Sequence, residues 1–328
     1  MWFEKLMGFV ETSHENVQNK IRVKGNELIS TVNKRSYQFG KLDIWKLQEM
    51  TTSLILDNHH YKMKVSQVVS DVQELHCDIE NNGALFQVAS QFNLLEMSGP
   101  LKTPEDGVDI YSYDYTQGPA CAIACGAGTI YRNYFAPVNG KIGQTKHNQI
   151  NCLELIEKEV KPTSPWNMVN GYALLTMENL IEVNHYLSNL KEHERERLKH
   201  QLKVGIQWDT QVTIAEQFQT VTQVYSSALP VAYSRIEPIR WEKFARLILE
   251  ATYEATLYAA IINSEKTKCD KVFLTLVGAG AFGNDIHWVL ESLLKTLKKF
   301  RNYPLDIKIV SYGQSNPMID KMIEKIWE

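Results

Sequence analysis

The sequence predicts an α/β protein, in which strand-forming runs alternate with helical runs. Three observations carry this. Residues 271–277 are a run of good β-formers, Lys-Val-Phe-Leu-Thr-Leu-Val. A Gly-rich turn, Gly278-Ala279-Gly280-Ala281-Phe282-Gly283, follows, and Ile286, Val289, Leu290, Leu293, Leu294 and Leu297 then keep helical spacing. Residues 305–312 form a further strand and residues 317–327 a last helix. Such alternation implies a mainly parallel sheet with helices on both faces.

The remaining elements follow in order along the chain. Residues 1–65 are polar and broken, with a turn-rich NKRSYQFGKLD stretch, and are expected to be an N-terminal extension to a domain spanning 66–328. Residues 66–75 are expected to be helical, and residues 84–89 have strand character. Residues 99–119 form a long loop rich in Gly, Pro and Asp, a length that is usually functional. Small residues in ACAIACGAGTIYRNYF suit a closely packed helix. Residues 177–203, with KEHERERLKHQLK, are expected as a solvated helical stretch. Residues 203–212 and 220–232 are strand-like. Phe244, Leu247, Ile248, Ala251, Ala255, Tyr258 and Ile262 mark one apolar helix face.

Composition narrows the function classes. The chain has 328 residues, 44% hydrophobic and 22% charged, enough to bury a full core. A net charge of -3 gives no general attraction to nucleic acid or an anionic membrane. No apolar run approaches the length of a membrane helix. Glu4 and Glu11 stand where a signal peptide would be positive and then apolar, so an intracellular, cytoplasmic protein is expected. Five cysteines, an odd number in a long chain, are expected as structural thiols. No His and carboxylate cluster has metal-ligand spacing, and no cofactor is called for.

The Gly-rich turn satisfies GxGxxG between a strand and a helix. Glycines let backbone amides approach phosphate oxygens, and a helix N-terminus favours the negative charge. The alternative is a tight turn with close strand–helix packing. A dinucleotide-binding dehydrogenase is disfavoured. The motif lies too near the end of the chain, and the next strand ends in Ser311, Tyr312 and Gly313 rather than in an acidic residue for ribose hydroxyls. Tyr312 suits stacking on a base or ribose, or else is a core tyrosine at a strand end.

The order of the motifs resembles a macrodomain. Leu75-His76-Cys77-Asp78-Ile79 followed by Phe86-Gln87-Val88-Ala89-Ser90-Gln91-Phe92-Asn93 resembles the Gly-Asp-Ile-Thr and Val-Asn-Ala-Ala-Asn segments of that family. LTLVGAGAFGND is similar to the diphosphate loop, and more so to the Gly-Cys-Gly-Ala-Phe-Gly-Gly-Asp stretch of poly(ADP-ribose) glycohydrolases. More loosely, FQVASQFN resembles the MavL-type effectors that remove ADP-ribose from modified ubiquitin. The resemblance covers roughly residues 66–328. It implies a three-layer α/β/α sandwich with a mixed, mainly parallel sheet. It also implies a ligand, ADP-ribose or an ADP-ribosylated protein.

By this resemblance Asp78 would hold the adenine amino group with Ile79 beside it. Gln91 and Asn93 would lie at the distal ribose. Gly278, Gly280, Ala281, Phe282, Gly283 and Asn284 would wrap the diphosphate, and Tyr312 would lie beside the adenosine. Two departures stand out. The Gly-rich first loop of the family is missing, and Gln117-Gly118-Pro119 stands where the glycohydrolases carry paired glutamates.

Cleaving ADP-ribose from protein breaks a bond at an anomeric carbon, work suited to carboxylates. Asp114, Asp209 and Asp285 are the candidates, with Glu96 a weaker one. Each has a plain alternative: Asp285 as a helix N-terminal charge, Asp114 and Asp209 as turn-closing residues. A hydrolase that releases ADP-ribose from modified protein is expected first. A non-enzymatic reader of the same ligand comes second, and a dehydrogenase-like NAD binder third.

Overall fold

Seven strands form one mixed sheet: Lys41–Lys46 (β1), Lys64–Val69 (β2), Leu85–Ala89 (β3), Lys203–Gln211 (β4), Thr220–Ser226 (β5), Lys271–Leu274 (β6) and Asp306–Ser311 (β7). Their order is β1-β4-β5-β3-β6-β7-β2. The computed structural model describes residues 1–54 and 62–328. The pairs β5–β3, β3–β6, β6–β7 and β7–β2 are parallel, whereas β4 is antiparallel to both β1 and β5. Strand β4 alone therefore runs against the others, and the C-terminal ends of β2, β3, β5, β6 and β7 share one edge.

Helices cover both faces, the three-layer arrangement that the resemblance implies. Alternation along β3 shows how. Phe86 stacks on His76 on one side, ring centroids 3.8 Å apart. The next residue, Gln87, donates to Thr256 on the other side at 3.1 Å. His76 belongs to the helix Val72–Cys77, and Thr256 to the long helix Glu242–Thr267.

Three expectations need correction. Residues 66–75 are not one helix: β2 ends at Val69 and a helix begins at Val72, capped by Asp71. Val65, Val68 and Val69 favour a strand by β-branching, and pairing along β7 decides it. Of the residues expected as an extension, Lys41–Lys46 form the sheet's edge strand, and Leu47 and Met50 join the main core. Phe3, Met7, Val17 and Leu28 make a second apolar cluster against Ala127, Ile130 and Tyr134. Residues 55–61 of that stretch lie outside the described residues.

The third correction concerns the charged stretch at 177–203. Its helices, Met177–Ser188 and Glu192–Lys199, are not simply solvated. The helix Glu242–Thr267 buries Glu250 and Glu254 as well as its apolar face. Arg195 pairs with Glu250 at 2.8 Å and Lys199 with Glu254 at 2.7 Å. The charge run thus joins Lys295 and Lys299 in neutralising these carboxylates, whose burial unpaired would cost several kcal/mol. All five cysteines are free thiols, with Cys121, Cys125 and Cys152 buried.

Candidate functional site

The shared C-terminal edge of the parallel strands opens into a two-part cleft. The outer cavity, about 860 Å³, is walled by residues that follow β2 (Ser70, Asp71), β6 (Thr275, Leu276) and β7 (Ser311, Tyr312). The inner cavity, about 240 Å³, is walled by Ser90 and Gln91 after β3, by Glu96, and by Gly278, Gly280, Ala281 and Phe282 of the Gly-rich turn. Asp114, Thr116, Gln117, Thr275 and Leu276 line both, so the two parts are continuous. Crevices at this edge are where open α/β sheets bind ligands.

The Gly-rich turn is held from behind. Gly278 has φ 81° and sits against Ala228, where an added Cβ would come within 2.4 Å of the alanine's own. Asn284 is buried, and its Nδ2 donates to Leu229 O at 2.8 Å. Asn284 N donates to Gly278 O at 2.9 Å. Asn284 is therefore a brace of the turn and not a ligand contact. The amides of Gly280, Ala281 and Phe282 have no acceptor among the described residues, and all three residues face the inner cavity. Gly280 has open space where a Cβ would go. Gly283, at φ 68°, packs on Ala232 instead of lining the cleft. The following helix, Ile286–Phe300, does not offer its N-terminus to a ligand, because Asp285 caps it by accepting from His287 N at 2.8 Å.

The opposite wall comes from the long loop and the helix Gln117–Ala124. Asp114 Oδ1 accepts from Thr116 N at 3.0 Å and from Thr116 Oγ at 2.7 Å, while Oδ2 makes no hydrogen bond among the described residues. Gln117 is fully engaged with β3: Oε1 accepts from Ala89 N at 2.9 Å and Nε2 donates to Gln87 O at 2.8 Å. A Cβ on Gly118 would meet Ala89 O at 1.9 Å. Backbone packing thus closes position 118 to any side chain.

Behind this wall lies a buried polar network. Arg132 Nη2 donates to Glu96 Oε1 at 3.1 Å and Oε2 at 3.0 Å, and both side chains are fully buried. Arg132 also bonds Tyr225, which donates to Gln223 Oε1 at 3.0 Å. Burial pushes the Glu96 carboxyl up to about 7, with the Arg132 charge working against it. Burial also pushes the His76 imidazole, beside Gln223, down to about 4. The N-terminal segment fastens the long loop from outside. Glu11 accepts from Val108 N at 3.0 Å, Asp109 N at 2.7 Å and Tyr134 OH at 2.6 Å.

Several candidates fall elsewhere. Asp78 and Ile79 are exposed at the start of β3, the opposite edge of the sheet; Asp78 caps a short turn there through Glu80 N. Asp71 and Val72, seven residues earlier, line the outer cavity instead. Asp209 sits on a β-bulge with φ 51° and pairs with Lys266. Because β4 runs against its neighbours, that end too lies at the far edge. Asn93 is buried away from the cleft and donates to Gln149 Oε1 at 2.9 Å. Gln91 reaches the inner cavity but spends its amide on Met97 N and O. Ser90, which the sequence did not single out, is 5% exposed, lines the inner cavity, and has no partner for its hydroxyl among the described residues. Asp285 is the helix cap described above. Tyr312 is 81% exposed at the outer cavity and not a core tyrosine. Among the described residues no group of three or more His, Cys, Asp or Glu side chains could hold a metal ion. No described helix is long and apolar enough to cross a membrane.

No family model matches the chain, and no curated protein matches it. Among solved structures it is similar to a poly(ADP-ribose) glycohydrolase from Thermomonospora curvata. The identity there is 10%, over 95% of each chain, with a TM-score of 0.48. It is also similar to a poly(ADP-ribose) glycohydrolase from Deinococcus radiodurans in complex with ADP-ribose. Here the identity is 8%, over 87% of this chain and 95% of that one, with a TM-score of 0.46. At such similarity the chemistry of the cleft rests on this chain's own residues.

Two outcomes follow from the geometry. In denaturant melts, Gly278→Val should lose about 3 kcal/mol or more through backbone strain and overpacking. Gly280→Val should stay within about 1 kcal/mol of wild type, because the position is open. Equal losses at the two positions would contradict the bracing described. The second outcome concerns Glu96. A carboxyl raised above its unfolded value contributes stability that is complete below that value and is lost as pH rises through the folded one. The stability of wild type relative to Glu96→Gln should therefore fall between pH 5 and pH 8. A pH-independent difference would mean that Glu96 titrates normally.

Proposed function

We propose that the cleft binds ADP-ribose and that the protein removes ADP-ribose from modified protein. The observation that carries this reading is the set of three unpaired amides, Gly280, Ala281 and Phe282, facing a cavity continuous with a larger, tyrosine-edged one. Unpaired amides in a Gly-rich turn suit the oxygens of a diphosphate. The outer cavity then takes the adenosine, with Asp71 and exposed Tyr312 beside it. The inner cavity takes the distal ribose, near Ser90, Asp114 and Phe282.

Of the three candidate aspartates, Asp114 alone stands in the cleft, and its free Oδ2 can accept a proton. The proposed step adds a water oxygen to the anomeric carbon as Asp114 takes the water's proton. The electrons of the glycosidic bond leave with the acceptor group of the protein, which takes a proton from solvent, and Asp114 returns its own proton to water. Gly118 favours a second reading, a non-enzymatic reader, since it bars a glutamate at its position.

The test is release of ADP-ribose from proteins modified on Arg, Glu, Asp and Ser. Asp114→Asn should lower release by about 10²–10⁴-fold, the usual loss on removing a general base, while ADP-ribose still binds. Gly280→Val should fold but lose the ligand. A wild type that binds ADP-ribose and releases none from any substrate is a reader. An Asp114→Asn variant with full activity removes the catalytic assignment.

A further inference from the structure

The inner cavity ends on an aromatic wall. Tyr233 packs on Tyr172 with ring centroids 4.9 Å apart, and on Phe282 at 5.6 Å. On the far side of Tyr233 lies a separate cavity of about 340 Å³, lined by Thr176, Met177, Pro230, Arg235 and Trp241 among others. Its polar character is one-sided. Trp241 is fully buried, yet its indole N–H has no acceptor among the described residues. Arg235 is exposed and makes no ion pair among the described residues, whereas nearby Arg240 is paired with Glu237 at 3.2 Å. The 12-residue helix Met177–Ser188 begins here, capped by Thr176. No carboxylate lines the cavity, and Glu178 stands exposed in the first turn of that helix.

We infer that this cavity receives the polypeptide that carries the ADP-ribosyl group, and that it selects a segment with acidic residues beside the modified position. This rests on the reading of the cleft as an ADP-ribose site. The polypeptide leaves the ligand at the distal ribose, the end of the cleft that Tyr233 closes. An unpaired cation and a buried unpaired donor together offer donors and positive charge in a cavity that no carboxylate lines. Arg235 pairs with a flanking carboxylate, and the Trp241 N–H donates to an acceptor oxygen of the same segment.

Three ligands test this by fluorescence anisotropy and calorimetry. They are free ADP-ribose and two peptides bearing ADP-ribose through a non-hydrolysable linker, one flanked by aspartates and one by lysines. Wild type should bind the aspartate peptide about threefold to tenfold more tightly than the lysine peptide, as expected for a partly exposed charge pair. Arg235→Glu should erase or reverse that preference and leave free ADP-ribose binding unchanged. Equal affinity for the two peptides, or a preference that survives in Arg235→Glu, overturns the proposal while free ADP-ribose still binds. No binding of free ADP-ribose overturns the underlying reading, and this one with it.

Discussion

The site depends on how tightly Gly278 is packed. Its left-handed backbone and its contact with Ala228 leave no room for a side chain, and Asn284 ties both sides of the turn to Leu229 and to Gly278 itself. The turn's internal hydrogen bonds use the amides of Gly283 and Asn284, which donate to Gly280 O and Gly278 O at 2.9 Å each. The amides of Gly280, Ala281 and Phe282 have no acceptor among the described residues, and these residues line the cleft. Unpaired donors are costly when desolvated, so they persist where a ligand or water can satisfy them. The parallel strands set the rest, because β2, β3, β6 and β7 deliver Asp71, Ser90, Thr275 and Tyr312 to one edge.

The facing wall is rigid for a different reason. Glu96, Arg132, Tyr225 and Gln223 form a buried polar chain in which each member satisfies another. Such networks specify a unique packing when complete and are costly when broken. Outside that wall, Glu11 draws three donors onto one carboxylate and ties the long loop to the N-terminal segment. Burial raises the Glu11 carboxyl, and those same hydrogen bonds oppose it. The loop that carries Asp114 is thus fixed from two sides.

Much of this was legible in the sequence, and the failures have identifiable causes. The strand, turn and helix around Gly278 were plain because β-formers, glycines and a helical leucine period occur in succession. Strand β2 was not: Val65, Val68, Val69 and Val72 are spaced like a helix face, and only pairing with β7 makes the first three a strand. Asp71, which reaches the cleft, lies within that same stretch. Asp209 was misplaced because a sequence gives a strand's end but not its direction in the sheet, and β4 is the reversed strand. Ser90 escaped because an unpaired hydroxyl is a property of packing. The pairing of Arg195 and Lys199 with buried glutamates escaped likewise, since the charge run alone looks solvated.

The central claim is that the turn's free amides grip a diphosphate, and it can be observed residue by residue. ADP-ribose would be titrated into ¹⁵N-labelled protein while the backbone amide shifts are followed. The account predicts saturable shifts that are largest at Gly280, Ala281 and Phe282, with smaller ones near Asp71, Ser90 and Tyr312. Shifts centred instead on Asp78 or Asn93, or no saturable shift at millimolar ADP-ribose, would contradict it.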